Sequence, residues 1–549
     1  MMKNILEKEA HKTETYNGAV VYDTSFDNLT DLFAKIGSMR YVDNPEELFE
    51  RAFKEDPITA TRILFYARDC RGGQGERITV FRIFHEFFCK KHPEWGSQLI
   101  KWFAEMGRWK DLWDIMGMII KEKGMEVMLN DTGYGYPDIA DAIFDTIMDQ
   151  FNDDIFKAEA WKRGELAERP NISMLGKWMP SCHSQSKNVR NLYKWFANCA
   201  QGLTYCMGEK SYRYYTKLLR EHIGIVEHNI VSRNYADIDY TKLPSRALKR
   251  YTTLFQKYDG ERFNTLMGKA SNPEENPEVK LNVRQLYPYE ILGDVDFHWG
   301  DSGATCEAGD AETAMWYQMP NFFKKEVSIL SVLDTSGSMS GVKASIATAL
   351  AIYTAQRNPH KTFKDYIVQF SSEPHMISIA GKHKLQDVVR CFKNDNSDTN
   401  FEGVMDYLLE LAVENNIPAE EMPEYLLIIS DMQFNILARD CNRNEFLCIE
   451  PLEDKSSSVK IPMMNRIREK WEKTSYKLPM MIYWNVDDDA PRGSFPMAHL
   501  DGCIYISGKS PVIFDHLFDE KFPTTIELIK KITESPRYNK ITIDFTKQD

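Results

Sequence analysis

Ser331-Val332-Leu333-Asp334-Thr335-Ser336-Gly337-Ser338-Met339-Ser340 is the stretch that decides the fold of the C-terminal half. An apolar run from Val327 to Leu333 leads straight into D-x-S-x-S, and a helical pattern follows from Gly341 to Thr354. Strand, polar loop and helix in that order place the loop oxygens at the carboxyl end of a parallel strand, where α/β sheets put their ligands. A hard divalent cation takes oxygen ligands in an octahedral array, and Asp334, Ser336 and Ser338 offer three from one loop. Two further oxygens stand at comparable places. Thr399 lies in Asn396-Ser397-Asp398-Thr399-Asn400-Phe401 ahead of a helix, and Asp431 ends the run Leu426-Leu427-Ile428-Ile429-Ser430-Asp431. The plainer reading is a tight turn with a helix cap at Ser336-Gly337-Ser338 and a strand-terminal cap at Asp431.

Outward from this loop the period alternates. Strand-like runs at Tyr366–Phe370, Tyr425–Ile429 and Met480–Trp484 are separated by helical patterns such as Gly403–Val413, which predicts an α/β Rossmann-like domain over 326–549. A polar stretch at 435–460 reads as an insertion. Upstream, Phe26, Leu29, Phe33 and Ile36, then Leu48, Ala52 and Phe53, Ile63, Leu64 and Ala67, and Val80, Phe81, Phe84 and Phe87 recur at helical spacing. Short breaks at Asp43-Asn44-Pro45, Asp56-Pro57, Gly72-Gly73-Gln74-Gly75 and His92-Pro93 divide these runs. The expectation is a multidomain chain: a tail at 1–25, an all-α helical-repeat module of stacked helix pairs at 26–300, an exposed acidic linker at 301–325, then the α/β domain.

The chain has 549 residues, 43% hydrophobic, with 68 Lys plus Arg against 81 Asp plus Glu, a net charge of -13. That balance excludes a uniformly basic nucleic-acid glove but not a local basic face. Residues 151–250 hold 17 basic against 10 acidic residues, net +7, inside a 1–320 segment that holds 41 against 48. The ten cysteines form no CxxC pair and no Cys/His cluster at zinc spacing. A charged N-terminus and the lack of an 18-residue apolar run predict a cytoplasmic chain with no membrane segment, expected to be monomeric. Catalysis is not expected. Ser336 as a nucleophile needs a base, His375, His383 and His499 are candidates by number only, and G-x-S-x-G is absent.

Asp334, Ser336, Ser338, Thr399 and Asp431, in that order on alternating strands and helices, resemble the metal-ion-dependent adhesion site (MIDAS) of the von Willebrand factor type A (vWA) domain. The resemblance implies that the serines and threonine ligate Mg2+ or Mn2+ directly, with the aspartates acting largely through water. It also implies one position left open for an acidic group of a protein partner.

The +7 stretch interleaves cations with aromatics, as at Tyr193-Lys194-Trp195 and Tyr212-Arg213-Tyr214-Tyr215. Two readings fit. Cations for phosphates and aromatic faces for bases are the components of single-strand recognition; alternatively the aromatics pack between helices while Lys and Arg cover a solvated face. The RNA-contact candidates are Arg71, Arg77, Lys177, Lys187, Arg190, Lys194, Arg213, Lys217, Arg220, Arg246, Lys249 and Arg250. The string Gly72-Gly73-Gln74-Gly75-Glu76-Arg77 is no P-loop; it reads either as a helix-helix turn or as an anion-contacting loop.

Five strings extend the resemblance along the chain: Arg68-Asp69-Cys70-Arg71-Gly72-Gly73-Gln74-Gly75-Glu76-Arg77, Gly107-Arg108-Trp109-Lys110-Asp111-Leu112, Lys177-Trp178-Met179-Pro180-Ser181, Tyr212-Arg213, and Ile429-Ser430-Asp431-Met432-Gln433-Phe434. The chain is similar to a TROVE-related family, with a helical TROVE-like, HEAT-like module ahead of a vWA domain, and more distantly to the Ro autoantigen. That likeness implies a non-catalytic RNA-binding protein of Ro type, acting in small-RNA scaffolding or surveillance as a ribonucleoprotein. The alternative is a protein-protein adaptor that engages an acidic partner residue through the metal.

Overall fold

A six-stranded mixed sheet organises the C-terminal half of the computed structural model, which describes residues 2–130, 137–200, 208–297, 303–370, 372–393, 399–435, 462–487, 495–497, 502–517 and 523–546. Its strands are β1 (Ile329–Asp334), β2 (Tyr366–Phe370), β3 (His375–Ser378), β4 (Tyr425–Ser430), β5 (Met480–Asn485) and β6 (Cys503–Ser507). The spatial order is β3-β2-β1-β4-β5-β6, parallel except for β3, which runs antiparallel to β2 at one edge. This is the doubly wound arrangement, and its order reverses between β1 and β4. Strands buried on both faces read as continuous apolar runs, which explains Ile329–Leu333 and Leu426–Ile429.

The two faces of the sheet serve different cores. Ile329, Leu333, Leu427, Ile429, Ile482, Trp484, Ile504 and Ile506 join one apolar cluster that continues through the whole helical part. Leu330, Val332, Leu426, Ile428, Met481, Tyr483 and Tyr505 face a second, smaller cluster with Phe401, Val404, Met405 and Leu408. The alternation is the period-2 rule of a strand, applied to two buried faces.

The helical part starts its helices with local signals. Asp56 caps the helix Pro57–Arg68 by accepting from the amides of Ile58 and Thr59 at 3.1 and 3.0 Å, and proline opens the helices Pro45–Glu55, Pro57–Arg68 and Pro93–Met106. Leu48, Ala52, Phe53, Ile63, Leu64, Ala67, Val80, Phe81, Phe84 and Phe87 are buried, as their spacing predicts. Phe26 is not part of that stripe. It is 36% exposed with φ of 70°, just ahead of Asp27, which caps the helix Asn28–Lys35, so the chain turns there before the helix begins.

Two expected boundaries change. Residues 1–25 are not a tail: a hairpin pairs Lys12–Glu14 with Val20–Tyr22, and Val20, Val21 and Tyr22 are buried against the α/β part. Tyr22 exchanges backbone hydrogen bonds with Phe495 at 2.9 and 2.8 Å. The described residues of 301–325 are not an exposed linker. Ala304, Ala308, Ala311, Ala314 and Trp316 are buried, most of them on the helix Asp310–Tyr317, and Glu312 pairs with Lys249 at 2.8 Å. Small apolar residues among the acids supply the buried face, so the negative count says little about exposure. The insertion expected at 435–460 lies beyond Asn435, outside the described residues.

The C-terminus returns to the helical part. Asp69, fully buried, accepts from the amides of Arg71 and Gly72 at 2.8 and 3.1 Å, from Arg537 Nη2 at 2.8 Å and from the Tyr538 hydroxyl at 2.7 Å. Burial alone would raise its carboxyl, but the Arg537 bonds and those from Arg71 and Tyr538 outweigh it and hold it below the usual aspartate range. Arg537→Ala leaves that charge short of its counter-ion. We expect a loss of about 2 kcal/mol in urea unfolding, less than for a fully buried pair because Arg537 is 37% exposed. A depressed carboxyl stabilises the fold above its unfolded value and loses that contribution as pH falls through the folded one. The gap between wild type and variant should therefore narrow below about pH 4.

Candidate functional site

The sheet's switch point brings together four of the five expected ligands, Asp334, Ser336, Ser338 and Asp431. Asp334 ends β1, Asp431 directly follows β4, and Leu333 stands opposite Ile429 in the register of the two strands. Asp334 is fully buried and Asp431 is 1% exposed. The Asp334 carboxylate accepts from the Ser336 amide at 2.9 Å and from the Ser430 hydroxyl, which fixes its orientation. Ser336 is buried and Ser338 exposed, with their hydroxyl oxygens 3.2 Å apart. Adjacent ligands on an octahedral magnesium ion lie about 3 Å apart, so this pair has the spacing of two neighbouring coordination positions. Thr399 is fully buried ahead of the helix Phe401–Glu414. Its carbonyl accepts from the Asn435 amide at 2.9 Å, which ties it to the segment that follows Asp431.

Negative charge is concentrated and desolvated at the switch point. Burial, and next the neighbouring Asp431 charge, push the Asp334 carboxyl up to about 7. Positive charge beside Asp431 comes from Lys343, in the first turn of the helix Val342–Arg357. Its ammonium lies 3.4 Å from Asp431 and 3.5 Å from Asp487. Burial lowers the Lys343 ammonium's proton affinity, but Asp431 and Asp487 outweigh it and raise the group above its ordinary value. The donor set of hydroxyls and carboxylates suits a hard divalent ion; Lys343 is the departure from the expected pattern.

Sequence reasoning missed Lys343, Ser430, Asp487 and Asn17. Asp487 follows β5 as Asp431 follows β4, so the strand-end rule could have found it. Asn17, on the N-terminal hairpin turn, places its amide 3.5 Å from the Thr399 hydroxyl and donates to the Gln433 carbonyl at 2.6 Å. No local pattern announces that contact. As for a base beside Ser336, His375 lies on the edge strand β3 and His383 stacks on Tyr317 at 4.5 Å. His499 lies outside the described residues.

The twelve RNA candidates separate. Arg213, Lys217 and Arg220 line a cavity of about 720 Å³ together with Tyr212, Tyr214, His183 and His228. Lys187 and Lys194 are exposed on the helix Lys187–Cys199, and Arg250 lies over the Tyr251 ring. Arg77 and Arg246 line a second cavity, of about 320 Å³. The others are held by the protein. Lys177 pairs with Glu227 and Lys249 with Glu312, while Arg71 donates to the carbonyls of Glu105 and Gly107 and Arg190 to those of Ser184 and Gln185. Arg220 also spends its guanidinium on the carbonyls of Gly176 and Met179.

At the rim of the first cavity, Cys182, His183 and Glu209 bring one ligand atom each within 4.8 Å of one another, with His183 Nε2 2.9 Å from Glu209. Sequence spacing hid this group because Cys182 and His183 lie in a turn and Glu209 opens the later helix Glu209–Ile223. Among the described residues no helix is long and apolar enough to cross a membrane.

The comparisons follow the same division of the chain. A model described as a domain of unknown function (DUF7788) matches residues 328–541, the span of the sheet and its helices. "Uncharacterized protein L728" of Acanthamoeba polyphaga mimivirus is 23% identical over 554 residues, covering 97% of this chain and 89% of that protein. A second model, described as a domain of unknown function (DUF2828), matches residues 15–135 and 134–315 and so ends on the helix Asp310–Tyr317, in agreement with the packing of that helix against the helical part; it covers more than half of the 549 residues, and the chain belongs to that family.

Proposed function

We propose that the chain is a non-catalytic, Ro-like RNA-binding protein whose sheet domain is a vWA domain holding Mg2+ or Mn2+. The observation that carries the metal reading is the meeting of Asp334, Ser336, Ser338 and Asp431 at the switch point, with two hydroxyls at ligand spacing. The strand order with one antiparallel edge supports the vWA reading. Bound there, the ion would offer electrophilic charge to an incoming oxygen. The protein's own part is to orient the donors: the Ser336 amide and Ser430 hydroxyl fix Asp334, and Asn17 reaches the Thr399 hydroxyl.

The RNA reading rests on the larger cavity, where Arg213 and Lys217 are exposed beside Tyr214, 45% exposed. Their ion pairs, to Glu209 at 3.8 Å and Glu221 at 3.6 Å, are long and solvated, so a phosphate competes for them at little cost. The adaptor reading has one observation of its own. Tyr16 is 94% exposed on the hairpin beside the site, bonded through its amide to Gln433 at 2.8 Å, and offers an aromatic contact to a partner that presents a carboxylate.

Calorimetric titration with Mg2+ and Mn2+ should give saturable heat in wild type and none in Asp334→Ala or Thr399→Ala. Heat with neither ion overturns the metal reading. Lys343→Met removes a competing positive charge and should tighten binding by about ten-fold. In filter binding, small RNAs should bind with a steep salt dependence, lost when Lys187, Lys194, Arg213 and Lys217 are all changed to Gln. Salt-insensitive or absent binding contradicts the RNA reading, and metal-dependent capture of an acidic peptide, abolished by Thr399→Ala, would favour the adaptor.

A further inference from the structure

The smaller cavity lies where the glycine string, the start of the helix Trp109–Lys123 and the C-terminal part meet. Arg40, Arg68, Arg77, Arg108, Arg246 and Lys509 line it, with Glu76 and Glu290 as its carboxylates. Five of the six cations are engaged within the protein. Arg68 pairs with Asp111 and both are 2% exposed; Arg40 pairs with Glu76 at 2.8 Å, Arg246 with Glu290 at 3.0 Å, and Arg77 reaches Asp114 only at 3.5 Å. Lys509 lies over the Tyr289 ring at 5.5 Å. The Arg108 guanidinium is half-buried and has no hydrogen-bond or ion-pair acceptor among the described residues.

We propose that this cavity binds the phosphate monoester of a nucleotide, with Arg108 as its principal contact. A half-buried guanidinium without an acceptor is costly, and a dianion that offers several oxygens to its planar fork removes that cost. Burial, then the charges of Arg246 and Arg68, lower the Arg108 group from its ordinary value, the direction expected of a cation surrounded by others. A neutral or cationic ligand would leave that excess uncompensated. The volume, about 320 Å³, is at the small end of ligand pockets. Tyr287 and Tyr289 lie with rings parallel within 10° and 6.2 Å apart, and the half-buried Tyr289 gives the flat part of a nucleotide a face to stack on. Gly75, at φ of +66°, lets the glycine string pass close to the Tyr287 hydroxyl, where a Cβ would stand 1.7 Å away. The string therefore shapes the wall, and the cations come from around it. Because Arg108 belongs to the helical part and Lys509 follows β6, a ligand here touches both halves of the chain. The site does not rest on RNA binding at the larger cavity.

The test is calorimetric titration of the full chain with inorganic phosphate, adenosine monophosphate, adenosine, and one short oligoribonucleotide with either a 5′-phosphate or a 5′-hydroxyl. Phosphate and adenosine monophosphate should bind saturably and adenosine should not. Arg108→Gln should weaken adenosine monophosphate by about ten-fold or more, with Arg108→Lys between the two. Tighter binding of the phosphorylated oligomer than of its hydroxyl twin and of the mononucleotide assigns the phosphate to an RNA end; the reverse order assigns it to a free nucleotide. Were Arg108→Gln to unfold, Lys509→Gln should show the same loss. Absence of saturable binding by every phosphate-bearing probe, or unchanged affinity in a folded Arg108→Gln, overturns the proposal. The variant at Lys187, Lys194, Arg213 and Lys217 should bind adenosine monophosphate as wild type does, which separates this site from the RNA surface.

Discussion

Two carboxylates, Asp334 and Asp431, stand at the ends of adjacent parallel strands almost out of reach of water, and the ammonium of Lys343 lies against the second of them. The fold creates this constraint. Central strands covered on both faces must end somewhere, and the reversal of order between β1 and β4 opens a crevice at their carboxyl ends. Charge placed there is desolvated, so it must be protonated, paired with a cation or bound to a metal. Lys343 supplies the second of these at Asp431, and the proposed metal, held with the hydroxyls of Ser336 and Ser338, would supply the third. The N-terminal hairpin, Ser430 and the loop after β4 are all arranged around that charge.

A second buried carboxylate holds the two halves of the chain together. Asp69 is bonded by its own loop and by Arg537 and Tyr538, more than 460 positions later in sequence. It sits in the same short string whose Glu76 and Arg77 line the smaller cavity. One loop thus connects the closing contact of the fold to a concentration of guanidinium groups. A ligand bound there would lie at the interface between the helical and sheet parts, which one continuous apolar cluster spans.

The sheet and its crevice were legible in the sequence because their signals are local. A strand ending in D-x-S-x-S, a threonine before a helix and an aspartate after an apolar run each carry meaning within ten residues. Lys343 and Asn17 were not legible, since each acquires its role from a segment far away in sequence. Acidic composition misled at 301–325, where the alanines and Trp316 decide the packing, Glu307 and Asp310 are exposed and Glu312 is tied to Lys249. The basic stretch was legible as charge but not as surface: Lys177, Arg190, Arg220 and Lys249 are spent on carbonyls and carboxylates of the protein itself, which residue counts cannot reveal. Arg108, which carries the unsatisfied charge, lies outside the +7 segment altogether.

The central claim is that the switch point of the sheet is a divalent-cation site. Crystals soaked in Mn2+ test it directly through anomalous diffraction. The account predicts a peak within coordination distance of the Ser336, Ser338 and Thr399 hydroxyls, with the Lys343 ammonium displaced from Asp431. A map with no peak there, or with its peak at Cys182, His183 and Glu209 instead, would contradict it.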